Sequence, residues 1–337
     1  MGKFYAVIFL FVITLCSCDK EPQYHRLVGE TMGTYYSLTY EGIAPIVVRE
    51  DIEELLREFN NSLSTYIPSS FISQLNASKE GIALPDNDIY FAPVLERAIE
   101  LKSLTNDRLN VMIMPLLKYW RDNSTAIDTS TVMQLREVVH TSDFSIIQKD
   151  GKSFVKKTNP DAKLDFSALA KGYGIDVLGD YFENKGIKNF LVDIGGEATA
   201  RGVNPKGISW SLAINTPKEG SSLTDMEVVI GLQNKSIATS GTYRQFYEKE
   251  GKKIAHIMDP ISGYSTTSDL LSASVIANDC MTADGVATAL MVMDMKDAKE
   301  YLKQNNYPAC LIYDKDGVDP LEKLYFNGFD SIVITSK

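Results

Sequence analysis

Apolar positions along the chain fall into two regimes. Val48, Ile52, Leu55, Leu56 and Phe59 recur at three- and four-residue intervals, which predicts a helix from Ile46 to Asn61. The same reading predicts helices from Phe91 to Leu104 and around Ala170 to Lys185. Beyond them the pattern changes to short runs with strand character: Asn189 to Ile194, Ile208 to Ile214, Met226 to Leu232, Lys253 to Met258 and Leu271 to Ala277. The Thr- and Tyr-rich run 31–40 (TMGTYYSLTY) reads as an earlier strand. Helices from Met281 to Met293 and Lys296 to Gln304, then strands from Ala309 to Tyr313 and Ser331 to Ile334, complete the pattern. Helices interleaved with antiparallel-looking strands predict an α+β fold rather than a doubly wound sheet. Neither GxGxxG nor GxxxxGK[ST] occurs, so a nucleotide here would not be held by a Rossmann or P-loop device.

The first residues change the picture of where the chain works. Lys3 precedes an apolar run from Phe4 to Leu15, which is too short to cross a bilayer and reads as a secretory signal. Leu15-Cys16-Ser17-Cys18 resembles a bacterial lipobox, and Cys18 fits as the acylated residue because small Ser17 precedes it. This divides the chain into a signal peptide over 1–17, a tether over 18–28 and one domain over 29–337. It predicts attachment through lipid to a membrane outside the cytoplasm, facing the periplasm. The roughly 320 residues that remain suffice for a large core, and no linker, repeat or low-complexity block divides them. A net charge of -10 argues against a nucleic-acid partner. Cys280 and Cys310 could form one disulfide or stay as two buried thiols, and no metal-type cysteine spacing occurs.

Four segments carry candidate chemistry. In LDFSALAKGYGID, Asp165 ends an extended piece, Ser167 could open a helix, and Lys171-Gly172 sits one turn in. That suits either a capped helix start with a solvated lysine or an anion site at a helix N-terminus. VDIGGEATARG ends an apolar strand in Gly195-Gly196, which serves a plain turn or the close approach of a planar ligand. AHIMDPISG carries His256, which suits either a structural role, the commoner use of a lone histidine, or a proton acceptor at a strand end; His25 and His140 have no such context. Asp259, Pro260 and Gly263 also suit an ordinary turn. In MTADGVATALMVM, Asp284 and Thr288 lie four residues apart, so both oxygens project from one helix face. A carboxylate with a hydroxyl suits Mg²⁺ shared with substrate phosphates; Thr282 capping the helix, with Asp284 near its positive end, is the plainer explanation.

Taken in order, TMGTYYSLTY, NSLSTYIPSSFISQLN, LDFSALAKGYGID, VDIGGEATARG, SIATSGTYRQF, AHIMDPISG and TADGVATAL resemble the motif series of the ApbE family, from about Gly29 to Ile334. The resemblance implies a single α+β domain of T-fold-like character that binds FAD in a groove with Mg²⁺ beside the pyrophosphate. It implies metal ligands at Asp284, Thr288 and the backbone carbonyl of Ala168. FAD contacts fall on Met32, Asp165, Lys171 and Met258, with Tyr66 as an aromatic flanking the flavin or adenine. The catalytic histidine falls on His256. The implied reaction moves FMN from FAD to a threonine of an acceptor protein, a membrane redox subunit, and releases AMP. The same residues would also serve an FAD pyrophosphatase, and a flavin-binding lipoprotein without turnover is a third reading.

The chain departs from the family pattern in one segment. Where Asp-x-Thr-x-Gly-Pro-Leu is common, it carries Asn110-Val111-Met112-Ile113-Met114-Pro115-Leu116. Only backbone contacts from Met112, Ile113 and Met114 to FAD are then expected. Thr242 stands where Asp is common.

Overall fold

The computed structural model describes residues 23–123, 127–218, 220–222, 224–241, 246–249, 252–255, 257–266, 268–314 and 320–337. Cys18, Thr242 and His256 lie outside them. In chain order the elements are β1 (Gln23–Thr31), β2 (Thr34–Gly42), α1 (Arg49–Leu63), α2 (Phe71–Ala77), β3 (Gly81–Ala83), α3 (Phe91–Leu104), α4 (Met114–Asp122) and α5 (Thr129–Thr141). They continue as β4 (Phe144–Lys149), β5 (Lys152–Lys157), α6 (Ala170–Asn184), β6 (Phe190–Ile194), β7 (Glu197–Arg201), β8 (Trp210–Asn215), β9 (Met226–Leu232) and β10 (Lys235–Gly241). The last are β11 (Phe246–Lys249), β12 (Lys252–Ala255), β13 (Leu270–Ala277), α7 (Cys280–Val292), α8 (Met295–Asn305), β14 (Ala309–Tyr313), β15 (Glu322–Phe326), a short 3-10 helix (Phe329–Ile332) and β16 (Val333–Ser336).

An eight-stranded sheet in the order β1-β2-β6-β7-β10-β13-β14-β15 forms the middle of the molecule, with neighbouring strands antiparallel throughout. Alternation drives it: on β2 the side chains of Tyr36, Leu38 and Tyr40 turn inward and are buried. They meet Ile52 and Leu56 of α1 and Ile175, Leu178 and Phe182 of α6 on one face of the sheet. The other face is covered by the three-stranded sheet β16-β9-β8, where Ala198, Ala200, Ile237, Ile276 and Ile312 pack against Trp210, Val228 and Ile230. The fold is therefore α+β, with helices on one face of an antiparallel sheet and a second sheet on the other.

α7 is the most enclosed helix. It lies on β10 and β13 and against α6, and most of its residues, including Asp284, are buried. A helix apolar all round belongs inside a core, and its one carboxylate therefore needs a reason to be there.

Several sequence expectations shift. The run 31–40 is two strands and a turn, not one strand: Met32 (φ 52°) and Gly33 (φ 73°) reverse the chain between β1 and β2. β1 starts at Gln23, so residues 23–28, read as tether, pair with β2 instead; this edge strand was hidden by its polar, half-exposed positions. Ser167 does not open α6, which begins at Ala170 behind Leu169 with no side-chain cap. Asp279, rather than Thr282, caps α7 by accepting the N–H of Thr282 at 2.8 Å. The final strand begins only after the 3-10 turn, at Val333. Cys280 and Cys310 are buried free thiols in separate core clusters.

Candidate functional site

The site grows from the crossing of α6 and α7. Gly172, in the first turn of α6, donates its backbone N–H to Asp284 Oδ2 at 3.1 Å. Only glycine permits this approach, because a Cβ at 172 would lie 2.4 Å from the Cys280 carbonyl oxygen. The preceding residue, Lys171, places Nζ 3.8 Å from Asp284 Oδ2 and 3.2 Å from Glu197 Oε1. Glu197 opens β7 after the Gly195-Gly196 turn, whose positive φ angles of 65° and 106° bring the chain sharply back beside α6.

Two carboxylates thus share one ammonium in a buried setting. Burial pushes Asp284 above the ordinary carboxylate range, against the opposing pull of Lys171 and the Gly172 N–H. Burial likewise pushes Glu197 up to about 7, with Lys171 pulling down and Asp284 pushing further up. For Lys171 burial acts downward, but Asp284 and Glu197 together outweigh it and hold the ammonium charged well above its usual range. Glu197 Oε2 is buried with no hydrogen-bond partner, and both Asp284 contacts fall on Oδ2 among the described residues. A further cation beside the pair would favour the ionised form of both carboxylates.

One turn along α7, Thr288 Oγ1 lies 3.1 Å from Ser240 Oγ of β10. Thr288 lines a cavity of about 100 Å³ together with Asp165, Ala168, Ile113 and Met258. Its walls come from three loops and from the flanks of α4 and α7. Asp165 donates its N–H to the Val111 carbonyl at 2.7 Å, tying the segment before α6 to the one before α4. Its carboxylate accepts the Ser167 N–H at 2.8 Å, turning the chain so that Ala168 faces the groove. On the far wall Asp259 accepts the N–H groups of Ile261 and Ser262 and is paired with Arg108 at 3.4 Å, which fixes the Met258–Pro260 corner.

The sequence profile of the ApbE family matches residues 32–312. The chain belongs to the ApbE family. Among its relatives are proteins named FAD:protein FMN transferase from Vibrio cholerae serotype O1, 33% identical with 90% of this chain and 92% of that one covered, and from Haemophilus influenzae, 33% identical with 90% of each covered. The solved flavin transferase ApbE of Vibrio cholerae superposes with a TM-score of 0.77 at 30% identity over 92% of this chain and 99% of that one. The same architecture in that structure bears out the single α+β fold expected from the sequence. That enzyme has also been solved as a variant with a histidine replaced by glycine.

The expected ApbE site residues are only partly gathered. Ala168 and Thr288 share the cavity, and Asp284 lies one turn from Thr288 on the same helix. Asp165, Ile113 and Met258 line it as well, whereas Met112 is buried beneath and Met114 packs its sulfur 3.5 Å from Asn76 Nδ2. Met32 is held against Gly174 of α6, where an added Cβ would come within 2.7 Å of its Cε. Tyr66, on the loop between α1 and α2, is 85% exposed. His256 lies outside the described residues; its neighbour Ile257 lines the cavity.

The donor set suits a hard cation. Among the described residues no three His, Cys, Asp or Glu side chains converge. A cation at Asp284 and Thr288 must therefore complete its shell with backbone carbonyl, water or substrate oxygens, which is the habit of Mg²⁺ and not of Zn²⁺. Sequence reasoning missed Glu197 and Ser240: a carboxylate after Gly-Gly reads as a turn residue, and Ser240 reads as one polar position in a strand.

Proposed function

We propose that the chain is a Mg²⁺-dependent FAD:protein FMN transferase that attaches FMN to a threonine of an acceptor protein and releases AMP. The observation that carries this reading is the buried carboxylate of Asp284 one helical turn from Thr288, which lines a cavity together with Ala168. Its family membership supplies the flavin. The chain is read as held outside the cytoplasm by an acylated Cys18.

Asp284, Thr288 and the Ala168 carbonyl would hold Mg²⁺, whose chemistry here is to neutralise and orient the FAD diphosphate. Lys171 adds a fixed positive charge beside that position, kept charged by Glu197 and Asp284. Asp165 and Met258, which line the cavity, would contact the bound FAD. His256 is assigned the proton of the acceptor hydroxyl. The threonine oxygen then forms a bond to the phosphorus on the FMN side, the bond to the AMP oxygen breaks, and AMP leaves with the electron pair.

Hydrolysis of FAD by the same residues is the competing reaction, with water in place of threonine. The two are separated by incubating the full chain with FAD and Mg²⁺, with and without an acceptor carrying a threonine flavinylation motif. Transfer predicts that AMP release rises when acceptor is added and stops when Mg²⁺ is chelated. AMP release independent of acceptor, with free FMN accumulating in step, would assign the pyrophosphatase instead.

A further inference from the structure

We propose that the end of the sheet opposite the flavin groove is the face that rests on the lipid surface, so that the groove points away from the membrane. This rests on the reading of Cys18 as the acylated residue, and adds to it a specific orientation of the domain.

Strand direction sets the two ends. The groove end holds the β1–β2 turn at Met32, the β6–β7 turn at Gly195-Gly196, the start of α6 at Lys171 and the C-terminal end of α1, where Asn60 Nδ2 donates to Thr31 Oγ1 at 3.1 Å. The opposite end holds the start of β1 at Gln23, the end of β2 at Gly42 paired with it, the start of β6, the end of β7 and the C-terminus of α6. Contacts tie these pieces into one surface: Glu41 donates its N–H to the Asn189 carbonyl at 2.9 Å, Val203 donates to Asn189 Oδ1 at 2.8 Å, and Tyr24 Oη donates to the Val203 carbonyl at 2.8 Å.

That end is where the anchor must be. Gln23 is five residues beyond Cys18, so a fully extended chain reaches at most about 18 Å between them. It also exposes a consecutive stretch of apolar side chains. Ile43, Ala44, Pro45 and Ile46 form an exposed run directly after β2, with Ile43 67% and Ile46 42% exposed, followed by Val48 at the start of α1. On the β7–β8 loop, Ile208 is 58% exposed. Scattered exposed aliphatics are ordinary, but a consecutive run beside the attachment point of an acyl chain is placed to enter the headgroup region.

Charge at this end fits the same occupant. The chain carries -10 overall, so an anionic lipid surface repels it as a whole. Lys188 and Lys206 are exposed at the same end. Of the acidic groups at this end, Asp51 is engaged by Lys185 and Tyr181 Oη, Glu41 by Asn189 Nδ2 and Glu183 by Arg201, while Glu50 is exposed. With α6 spanning the two ends, its 15 residues set the groove about 22 Å from the lipid side. A threonine that reaches the groove must then stand clear of the bilayer by a similar distance.

The test uses the full chain, processed in bacteria and inserted in vesicles of phosphatidylethanolamine and phosphatidylglycerol. Single cysteines at Ile43→Cys, Ile208→Cys and, at the groove end, Ser69→Cys carry a fluorophore, and nitroxide lipids quench it. The orientation predicts quenching by about half or more at 43 and 208 and little at 69. A vesicle-bound, acylated chain with all three labels equally bright, or with 69 the most quenched, overturns the orientation alone. Mature protein whose mass shows no acyl groups on Cys18 overturns the anchor and the orientation with it.

Discussion

The backbone N–H of Gly172 donates to Asp284 Oδ2 at 3.1 Å, joining the start of α6 to the middle of α7 across 112 positions of sequence. That one bond orients the candidate metal carboxylate, and the absence of a side chain at 172 is what permits it. Gly172→Ala would drive a Cβ into the backbone of Cys280 and Met281. A loss of about 1–3 kcal/mol of stability is expected, read as a lower midpoint in urea, together with weaker Mg²⁺ dependence of AMP release.

Asp284→Ala should cost turnover far more than flavin binding. The carboxylate would hold the ion that neutralises the diphosphate, so metal-dependent AMP release is expected to fall by about a hundredfold or more, with FAD affinity changed much less. Near-normal metal-dependent AMP release from this variant would remove Asp284 from the metal site.

Glu197→Gln probes the sharing of Lys171. Lys171 Nζ is nearer Glu197 (3.2 Å) than Asp284 (3.8 Å). Without the Glu197 charge, the ammonium is left to Asp284 alone, where it competes with a metal ion. The Mg²⁺ concentration for half-maximal AMP release should rise by about tenfold, equivalent to about 1.4 kcal/mol. An unchanged Mg²⁺ requirement would show that Glu197 does not govern the lysine.

His256→Ala is expected to keep FAD affinity and lose flavin transfer. Flavinylation of an acceptor at the parent rate would refute its assignment as the base.

Stability should fall as pH rises through the acidic range. Asp176 on α6 is pushed up to about 7 by burial, against the N–H groups of Cys280 and Met281 that it accepts, with Asp279 and Asp180 pushing the same way as burial. The folded protein therefore keeps a proton that the unfolded chain releases near 3.8. Stability from this group is present at low pH and is lost as pH climbs from about 4 to about 7, by on the order of 2 kcal/mol. Urea melts at several pH values should show that slope, flattened in Asp176→Asn.

Much of this was legible in the sequence because one periodicity decided it. Asp284 and Thr288 share a helix face by spacing alone, and the apolar stretches of α3, α7, β9 and β14 announce themselves. What stayed hidden depends on long-range packing or on polar edges. β1 carries His25, Arg26 and Glu30 because its outer edge is solvated. Glu197 gains its meaning only when the Gly195-Gly196 turn folds it against Lys171, which no local pattern encodes. The Met32-Gly33 turn was masked by the strand-like Thr and Tyr residues around it.

The central claim is that FMN leaves this site attached to a protein. Its most direct measurement is the intact mass of an acceptor carrying a threonine flavinylation motif, after incubation with the chain, FAD and Mg²⁺. The account predicts a gain of one FMN, lost when Mg²⁺ is chelated or the acceptor threonine is replaced by alanine, with AMP appearing in equal amount. An acceptor of unchanged mass beside free FMN and AMP would contradict it.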